Sequence, residues 1–214
     1  MTARLVSINI GRPTRIDGAE PWTSGIYKSP VDGRVRLAPH NLAGDAQADL
    51  TVHGGPDKAV CVYSADHFPL WREELSAAEC GPGSFGENFS VEGQRETTVC
   101  IGDTYQVGTA VVQVSQPRAP CWKLGRRWNR ADMPKLVVQS GRTGWYLRVL
   151  EAGEVGRGDD LTLVERPFSR ATIDAVNAAA YSRGGTLDTG AARELANCPA
   201  LAESWRRKFR NLVE

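Results

Sequence analysis

Short apolar runs separated by turn residues dominate the first three-quarters of this 214-residue chain. Runs rich in Val, Ile, Leu and Tyr end in Gly, Asp, Asn or Pro, which is typical of β-strands joined by tight turns. The pattern predicts strands at Arg4–Ile10, Gly25–Lys28, Val35–Ala38, Val60–Tyr63, Thr104–Val107, Ala110–Ser115, Trp145–Leu150 and Leu161–Glu165. Because these strands are not each followed by a helix, the pattern favours a mainly β fold, a barrel with a few inserted helices, over a doubly wound sheet.

Local signals within this region predict one hairpin and two inserted helices. The Asp-Gly pair in Val31–Arg34 is typical of a tight hairpin turn. One helix is expected at Ala65–Leu75, with Ser64 as its cap. A second is expected at Pro134–Ser140, because proline suits the first turn and Gly141 suits the position just past the end.

Helical periodicity replaces the strand pattern after Pro167. We expect helices at Ile173–Tyr181, Thr189–Asn197 and Ala200–Val213, with Gly184-Gly185 separating the first two. Three helices of this size are too small to fold alone, so they should dock on the barrel. The predicted division is therefore a barrel domain at 1–165 and a three-helix C-terminal domain at 166–214.

Composition and charge narrow the class of protein. Hydrophobic residues make up 41% and charged residues 24%, which is ordinary for a soluble globular protein. The formal net charge of +1 predicts neither a nucleic-acid partner nor an anionic membrane partner. No apolar run approaches the roughly 20 residues of a membrane span, and the N-terminus lacks the apolar core of a signal peptide. These features predict a cytoplasmic protein.

One of the five cysteines has a setting suited to chemistry. The spacings are wide and contain no C-x-x-C pair, which argues against a structural zinc site or a thioredoxin-type motif. Cys121 alone stands between nearby cations, in Arg118-Ala119-Pro120-Cys121-Trp122-Lys123. Positive charge favours the thiolate, the form that attacks electrophiles and binds soft metals. The alternative is a buried cysteine that acts as a small apolar side chain.

Two glycine-rich loops carry further candidate groups. The first, His53–Lys58, holds an imidazole, a carboxylate and an ammonium, and the backbone N–H groups of such loops can bind anions. The second, Gly81–Asn88, ends in Glu87-Asn88. Neither matches a phosphate-binding Walker loop, and a loop of either kind, taken singly, is more often an ordinary turn.

The order of the motifs along the chain resembles one known family. Gly44-Asp45, HGGPDKA at 53–59, FGEN at 85–88, Gly102-Asp103 and SQPRAPCWKL at 115–124 follow one another as in MOSC domains, named for the C-terminal domain of molybdenum-cofactor sulfurases. The chain is most similar to the stand-alone bacterial YiiM/YuaD type. The resemblance covers the first strand to about Glu165, and the tail resembles the three-α domain of YiiM-type proteins.

The resemblance implies a cofactor and a set of site residues. MOSC domains are β-barrels that bind the molybdenum cofactor (molybdopterin) or handle sulfur for it, and the matching cysteine implies that Cys121 ligates the metal. His53 is a candidate catalytic proton donor, because an imidazole titrates near neutral pH. The residues expected to bind the cofactor are Arg118, Lys123, Asp57, Lys58 and Asn88.

The resemblance also implies an activity. Enzymatic relatives reduce N-hydroxylated compounds, converting N–OH to N–H with two electrons and two protons and releasing water. We therefore expect a molybdenum-cofactor reductase that detoxifies hydroxylaminopurine-type base analogues. The chain shows no clustered cysteines, and its G-x-G-x-x-G string at Gly81–Gly86 follows a predicted helix rather than a strand, so it is not a flavin-type fingerprint. An external flavoprotein reductase is therefore expected to supply the electrons.

Two other functions remain open at this point. A sulfur carrier or transferase would hold a persulfide on Cys121, although nothing here resembles the pyridoxal-phosphate domain of full sulfurases. A non-catalytic module would bind or deliver the cofactor without turning over a substrate.

Overall fold

A computed structural model of the chain describes residues 3–18, 20–51, 53–181 and 188–214. Within these ranges the strands are β1 Ala3–Ile10, β2 Thr14–Ile16, β3 Trp22–Ser24, β4 Ser29–Pro30, β5 Arg34–Leu37, β6 Val60–Ser64, β7 Phe89–Glu92, β8 Thr104–Val107, β9 Ala110–Pro117, β10 Trp145–Glu151, β11 Gly153–Gly156 and β12 Asp160–Glu165. The α-helices are α1 Phe68–Leu75, α2 Trp122–Arg127, α3 Met133–Ser140, α4 Ile173–Tyr181, α5 Thr189–Ala196 and α6 Glu203–Val213. The predicted Gly184-Gly185 break lies outside the described residues.

Seven strands close into a barrel, in the order β12-β8-β9-β10-β6-β7-β1. The barrel closes where β1 pairs with β12, with Ala3 opposite Leu161. Its neighbouring strands are antiparallel except β6 and β7, which run parallel with Val62 opposite Phe89. Closure leaves no unpaired sheet edge in the barrel wall. The predicted fold class, a mainly β barrel with inserted helices and a small helical tail, is confirmed.

The barrel and the tail helices share one hydrophobic core. The barrel strands contribute side chains such as Leu5 and Val112, and the tail contributes Ile173, Trp205 and Phe209 to the same buried cluster. The tail helices therefore pack on the barrel, with α4 against β9, and on one another, with α5 against α6.

A second, smaller core fills the space between the barrel and the inserted helices. Its buried aromatic side chains include Tyr63 on β6, Trp71 on α1 and Phe85 in the glycine-rich loop before β7. The rings of Tyr63 and Phe85 stack with centroids 4.3 Å apart and planes 9° apart. Leu124 of α2 belongs to the same core. This packing fixes the Phe85 loop against the helix that follows Cys121.

Two of the local predictions in the first forty residues are wrong. Gly25–Lys28 is irregular backbone between β3 and β4, and a Cβ on Gly25 would lie 2.5 Å from the Ala46 carbonyl oxygen. Gly33 does adopt the positive φ of a turn, at 80°. The strands on either side of it do not form a hairpin, however, because β4 pairs with β1 and β5 pairs with β11.

The sequence pattern missed short elements and misplaced some ends. Strand β7 has four residues and helix α2 has six, too few for periodicity to stand out. The predicted Ala65–Leu75 helix begins as a 3-10 turn, and the Ser64 hydroxyl makes no capping bond. Helix α6 begins at Glu203 rather than Ala200. Helix α3 matches its prediction closely, since Gly141 ends it with φ 74°.

No helix in the described part of the chain combines the length and the apolar character that crossing a bilayer requires.

Candidate functional site

Cys121 lies at one wall of a cleft between the barrel mouth and helix α2. We divide this cleft into two parts that share His53, Lys58, Ala119, Cys121, Lys123 and Tyr146. The inner cleft is the part that also contacts Arg118, Asn88 and Phe85, and its empty volume is about 700 Å³. The outer cleft is the part that also contacts Trp22 and Trp122.

Most of the site residues expected from the sequence meet at this cleft. The residues that line it are His53, Lys58, Asn88, Arg118, Cys121 and Lys123. Asp57 is not among the lining residues. Its carboxylate instead accepts a hydrogen bond from Arg148 Nε at 2.9 Å. Asp57 follows Pro56 in a 3-10 turn, which directs neighbouring side chains to different sides of the loop.

Cys121 is the N-terminal flanking residue of helix α2, four residues after β9 ends at Pro117. Its carbonyl oxygen accepts the Leu124 N–H at 3.0 Å, which begins the helix. Cys121 is half-buried, whereas the other four cysteines are buried, and all five are free thiols. Cys121 is therefore the thiol that a molecule in the cleft can reach most readily.

Arg118 is a buried cation in the inner cleft, 7% exposed. Its Nη2 donates a hydrogen bond to the Phe85 carbonyl oxygen. Its Nη1 is buried and has no hydrogen-bond partner among the described residues. A buried charged donor without a partner is costly, and guanidinium groups bind phosphate and carboxylate with paired hydrogen bonds. The inner cleft therefore has an unused donor suited to an anion.

Three further basic groups line the same cleft. Lys123 Nζ donates to the Thr23 carbonyl oxygen at 3.1 Å. Burial lowers the pKa of Lys58, although Asp57 opposes that shift. Burial, together with Lys123, Lys58 and Arg118, lowers the pKa of His53 below its ordinary value. His53 is therefore neutral at neutral pH, and an anion bound in the cleft would raise its pKa.

Asn88 shapes the floor of the cleft through bonds to other parts of the protein. Its Oδ1 accepts the Cys61 N–H at 3.1 Å, and its Nδ2 donates to the Asn9 carbonyl oxygen at 3.2 Å and to Asp45 Oδ2 at 3.0 Å. The buried Asp45 carboxylate also pairs with Lys28. Both the oxygen and the nitrogen of the Asn88 amide are therefore already hydrogen-bonded within the protein, which indicates that Asn88 positions the floor of the cleft.

The glycine-rich loop that presents Phe85 is rigidly built. Glu87 is buried, and its carboxylate accepts the Gly83 N–H at 2.6 Å and the Phe85 N–H at 3.0 Å. Burial raises the pKa of Glu87, an effect that these hydrogen bonds oppose. Gly86 has φ 73°, and a Cβ there would lie 2.7 Å from Ile26 Cγ1. Because the loop cannot easily shift, the Phe85 carbonyl oxygen holds Arg118 in place.

Sequence reasoning missed Tyr146 and interpreted Cys61 as a core residue only. Tyr146 on β10 is directly opposite Cys61 on β6, and both line the inner cleft. Burial raises the pKa of Tyr146, so its phenol is a neutral hydrogen-bond donor at neutral pH. The alternation in Trp145–Glu151 could have shown that Tyr146 faces away from Trp145 and Leu147. Only strand pairing across the barrel brings it to the cleft.

The described residues contain no group of three or more His, Cys, Asp or Glu side chains that could hold a metal ion.

Comparisons with known proteins cover both parts of the chain. The model of the MOSC domain matches residues 49–162, and the model of the YiiM-like, 3-alpha helix domain matches residues 172–214. Protein YflK of Bacillus subtilis is 45% identical over 96% of this chain and 92% of its own. Protein YiiM of Escherichia coli is 37% identical over 86% of this chain and 82% of its own. The crystal structure of YiiM from Geobacillus stearothermophilus superposes with a TM-score of 0.83, at 37% identity, over 99% of this chain and all of that one.

A longer relative carries an activity in its name. The protein called Reductase from Gibberella moniliformis is 36% identical over 92% of this chain, but the match covers 35% of its own length. Most of that protein therefore has no counterpart here. From the two family matches and the full-length relatives, the chain belongs to the MOSC family, whose domains are associated with the molybdenum cofactor, and within it to the YiiM-like proteins that carry a C-terminal three-helix domain.

Proposed function

We propose that this protein is a molybdenum-cofactor-dependent reductase that converts N–OH to N–H in N-hydroxylated compounds of the hydroxylaminopurine type. The observation that carries the proposal is the meeting, in one cleft, of an accessible thiol at Cys121 and a buried, unpaired donor on Arg118. The name of the fungal relative supports an oxidoreductase. Detoxification of modified bases is the role we propose for it.

The residues of the cleft fit the molybdenum cofactor. A thiol suits a soft metal site, and the absence of a protein metal cluster in the described residues suits a metal whose other ligands come from the pterin. Arg118, Lys58 and Lys123 provide positive charge for the cofactor phosphate. When bound, the cofactor supplies a two-electron redox centre.

The side chains of the cleft would then hold the cofactor and manage protons. Cys121 would ligate the metal, and Arg118 would bind the phosphate through its unpaired Nη1. Reduction of N–OH consumes two protons for each water released. His53 is neutral in the free protein, and a bound phosphate would raise its pKa and allow it to carry a proton to the departing oxygen. Tyr146 offers a neutral phenol as a second donor.

An external flavoprotein reductase remains our proposal for the electron source. The G-x-G-x-x-G string at Gly81–Gly86 leads into β7 rather than opening a helix, so it is not a flavin fingerprint. The relative named Reductase extends well beyond the region that matches this chain. Assays should therefore supply electrons from an artificial donor, so that the missing partner does not decide the result.

Cys121→Ser tests the proposal, with Cys198→Ser as the matched control. Both proteins are expressed in a host that makes the cofactor, and molybdenum per protein is measured together with hydroxylaminopurine reduction by reduced methyl viologen. Cys121→Ser should lose both molybdenum and activity, whereas Cys198→Ser, in the helical tail, should keep both. Full molybdenum and activity in Cys121→Ser would contradict the proposed ligand.

The same samples separate the two alternative functions. A persulfide on Cys121 without molybdenum would favour a sulfur carrier or transferase. Molybdenum bound through Cys121 without turnover of any N-hydroxylated compound would favour a module that binds or delivers the cofactor.

A further inference from the structure

Two tryptophans form the outer edge of the cleft, and we call this pair the tryptophan rim. Trp122 is the first residue of helix α2, directly after Cys121, and is 56% exposed. Trp22 belongs to β3, and the two ring centroids lie 5.6 Å apart with planes tilted by 54°. Both side chains line the outer cleft together with Cys121 and His53.

Contacts on both sides hold the rim in place. The Arg126 guanidinium lies 5.7 Å from the Trp122 ring centroid and the Lys123 ammonium lies 5.9 Å from it. Lys123 also donates to the Thr23 carbonyl oxygen at 3.1 Å, which ties helix α2 to the strand that carries Trp22. Arg126 pairs with Glu20 on the same side. Because these contacts fix the rings before any ligand arrives, the rim is organised in advance for binding.

The positions of charge and of aromatic surface divide the cleft by ligand chemistry. Arg118, with its unpaired donor, lines the inner cleft only, whereas Trp22 and Trp122 line the outer cleft only. An anionic group therefore has its donor inside. A flat ring that approaches from solvent meets the tryptophans first, next to the Cys121 thiol. A single exposed aromatic side chain is common on protein surfaces. Two paired rings beside the accessible Cys121 thiol, however, point to a ligand.

We propose that Trp22 and Trp122 stack on the planar ring of the substrate and thereby select aromatic and heteroaromatic N-hydroxyl compounds over aliphatic ones. The selection among substrates rests on the proposed reductase function, whereas the binding of a flat ring does not. Stacking against an aromatic side chain tolerates many ring systems, because every base presents a π face. The rim therefore sets preference by shape rather than by a particular pattern of hydrogen bonds.

Substitutions at Trp122 separate a flat ring from mere apolar bulk. Trp122→Leu removes the planar face, Trp122→Phe retains one, and Leu163→Ala, at an exposed leucine on β12, is the surface control. Adenine serves as the first probe, because it is planar and has no N–OH group to reduce. Trp122→Leu should weaken adenine binding by calorimetry about five- to a hundredfold, whereas Trp122→Phe should weaken it by about threefold or less and Leu163→Ala should not change it.

Turnover gives the second readout, with reduced methyl viologen as donor. The ratio of kcat/KM for a hydroxylaminopurine to that for N-methylhydroxylamine should fall in Trp122→Leu by about the same factor as adenine binding. Molybdenum per protein should stay at the wild-type level. Unchanged adenine binding and an unchanged ratio would overturn the proposal, and so would loss of molybdenum in Trp122→Leu, since the ring would then hold the cofactor.

The two arms distinguish failure of the rim from failure of the proposed function. If the wild type reduces neither substrate but Trp122→Leu still loses adenine, the rim binds flat rings and the reductase proposal is wrong. If the wild type reduces both substrates and Trp122→Leu keeps the same preference, the reductase proposal stands and the rim does not select substrates.

Discussion

Arg118→Met removes the buried guanidinium from the inner cleft and tests whether that group serves binding or stability. Without a ligand, two effects oppose each other. The lost hydrogen bond to the Phe85 carbonyl oxygen costs about 1.5–3 kcal/mol, as for other bonds from charged donors. Removing the unpaired, buried Nη1 recovers about 1–3 kcal/mol. The free energy of unfolding should therefore fall by no more than about 2 kcal/mol.

Binding of an anion should respond much more strongly. With phosphate in the cleft, Nη1 gains a charge-assisted hydrogen bond of about 1.5–3 kcal/mol. The variant should therefore bind phosphate about ten- to a hundredfold more weakly than the wild type. In equilibrium urea unfolding, a site filled at about a hundred times its Kd adds about 2.7 kcal/mol. Between about half and nearly all of that added stability should disappear in Arg118→Met.

The assay compares phosphate with chloride at equal ionic strength, so that general screening cancels. Arg148→Met is the matched control, because Arg148 pairs with Asp57 at 2.9 Å and with Gln113 at 3.0 Å and does not line the cleft. Arg148→Met should lose some stability and keep the full phosphate response. The reasoning fails if Arg118→Met also keeps that response, or if it loses more than about 4 kcal/mol without phosphate, which is the cost of breaking a buried ionic network.

Three other predictions follow from particular residues. The pKa of His53, measured by NMR, should lie below its ordinary value and should rise when phosphate binds. Because the unfolded chain takes up the proton more readily than the folded protein, acidification through about pH 6.5 should destabilise the wild type more than His53→Gln. Asp57→Asn, outside the cleft, should leave molybdenum content unchanged, whereas Lys58→Met should lower it by at least about twofold, both measured by elemental analysis. If 1–165 is a separate domain, that fragment should fold, bind a hydrophobic dye through the uncovered core and unfold at a lower temperature than the full chain. A fragment that ends at Arg166 should be more stable than the 1–165 fragment, because Arg166 pairs with the buried Asp103 at 2.7 Å. Failure of both fragments to fold would contradict the division into two domains.

Local signals account for the parts of this fold that the sequence predicted well. Helix α3 was predicted within one residue, because Pro134 and Gly141 act on the backbone of their own turn. The long strands β1, β9 and β10 were found because apolar runs that end in turn residues are a local signal of strands. Cys121 was singled out by its immediate neighbours, and the family motifs supplied its proposed partners.

Tertiary structure decided what depends on residues far apart in the chain. Strand β7 has four residues and gains its place only from pairing with β1 and β6. That pairing draws the Asn88 amide into bonds with Cys61, Asn9 and Asp45, which no local pattern could reveal.

Whether a side chain lines the cleft is likewise decided by the tertiary structure. Asp57 and Lys58 are adjacent in the sequence, yet only Lys58 reaches the cleft, and Tyr146 reaches it because β10 lies beside β6. The unpaired donor of Arg118 and the lowered pKa of His53 arise from burial among these distant segments. The sequence by itself determined which chemical groups were available, through local backbone preferences and short motifs. Closure of the barrel decided which of them share one cleft, because pairing and burial join segments as distant in the chain as Trp22 and Tyr146.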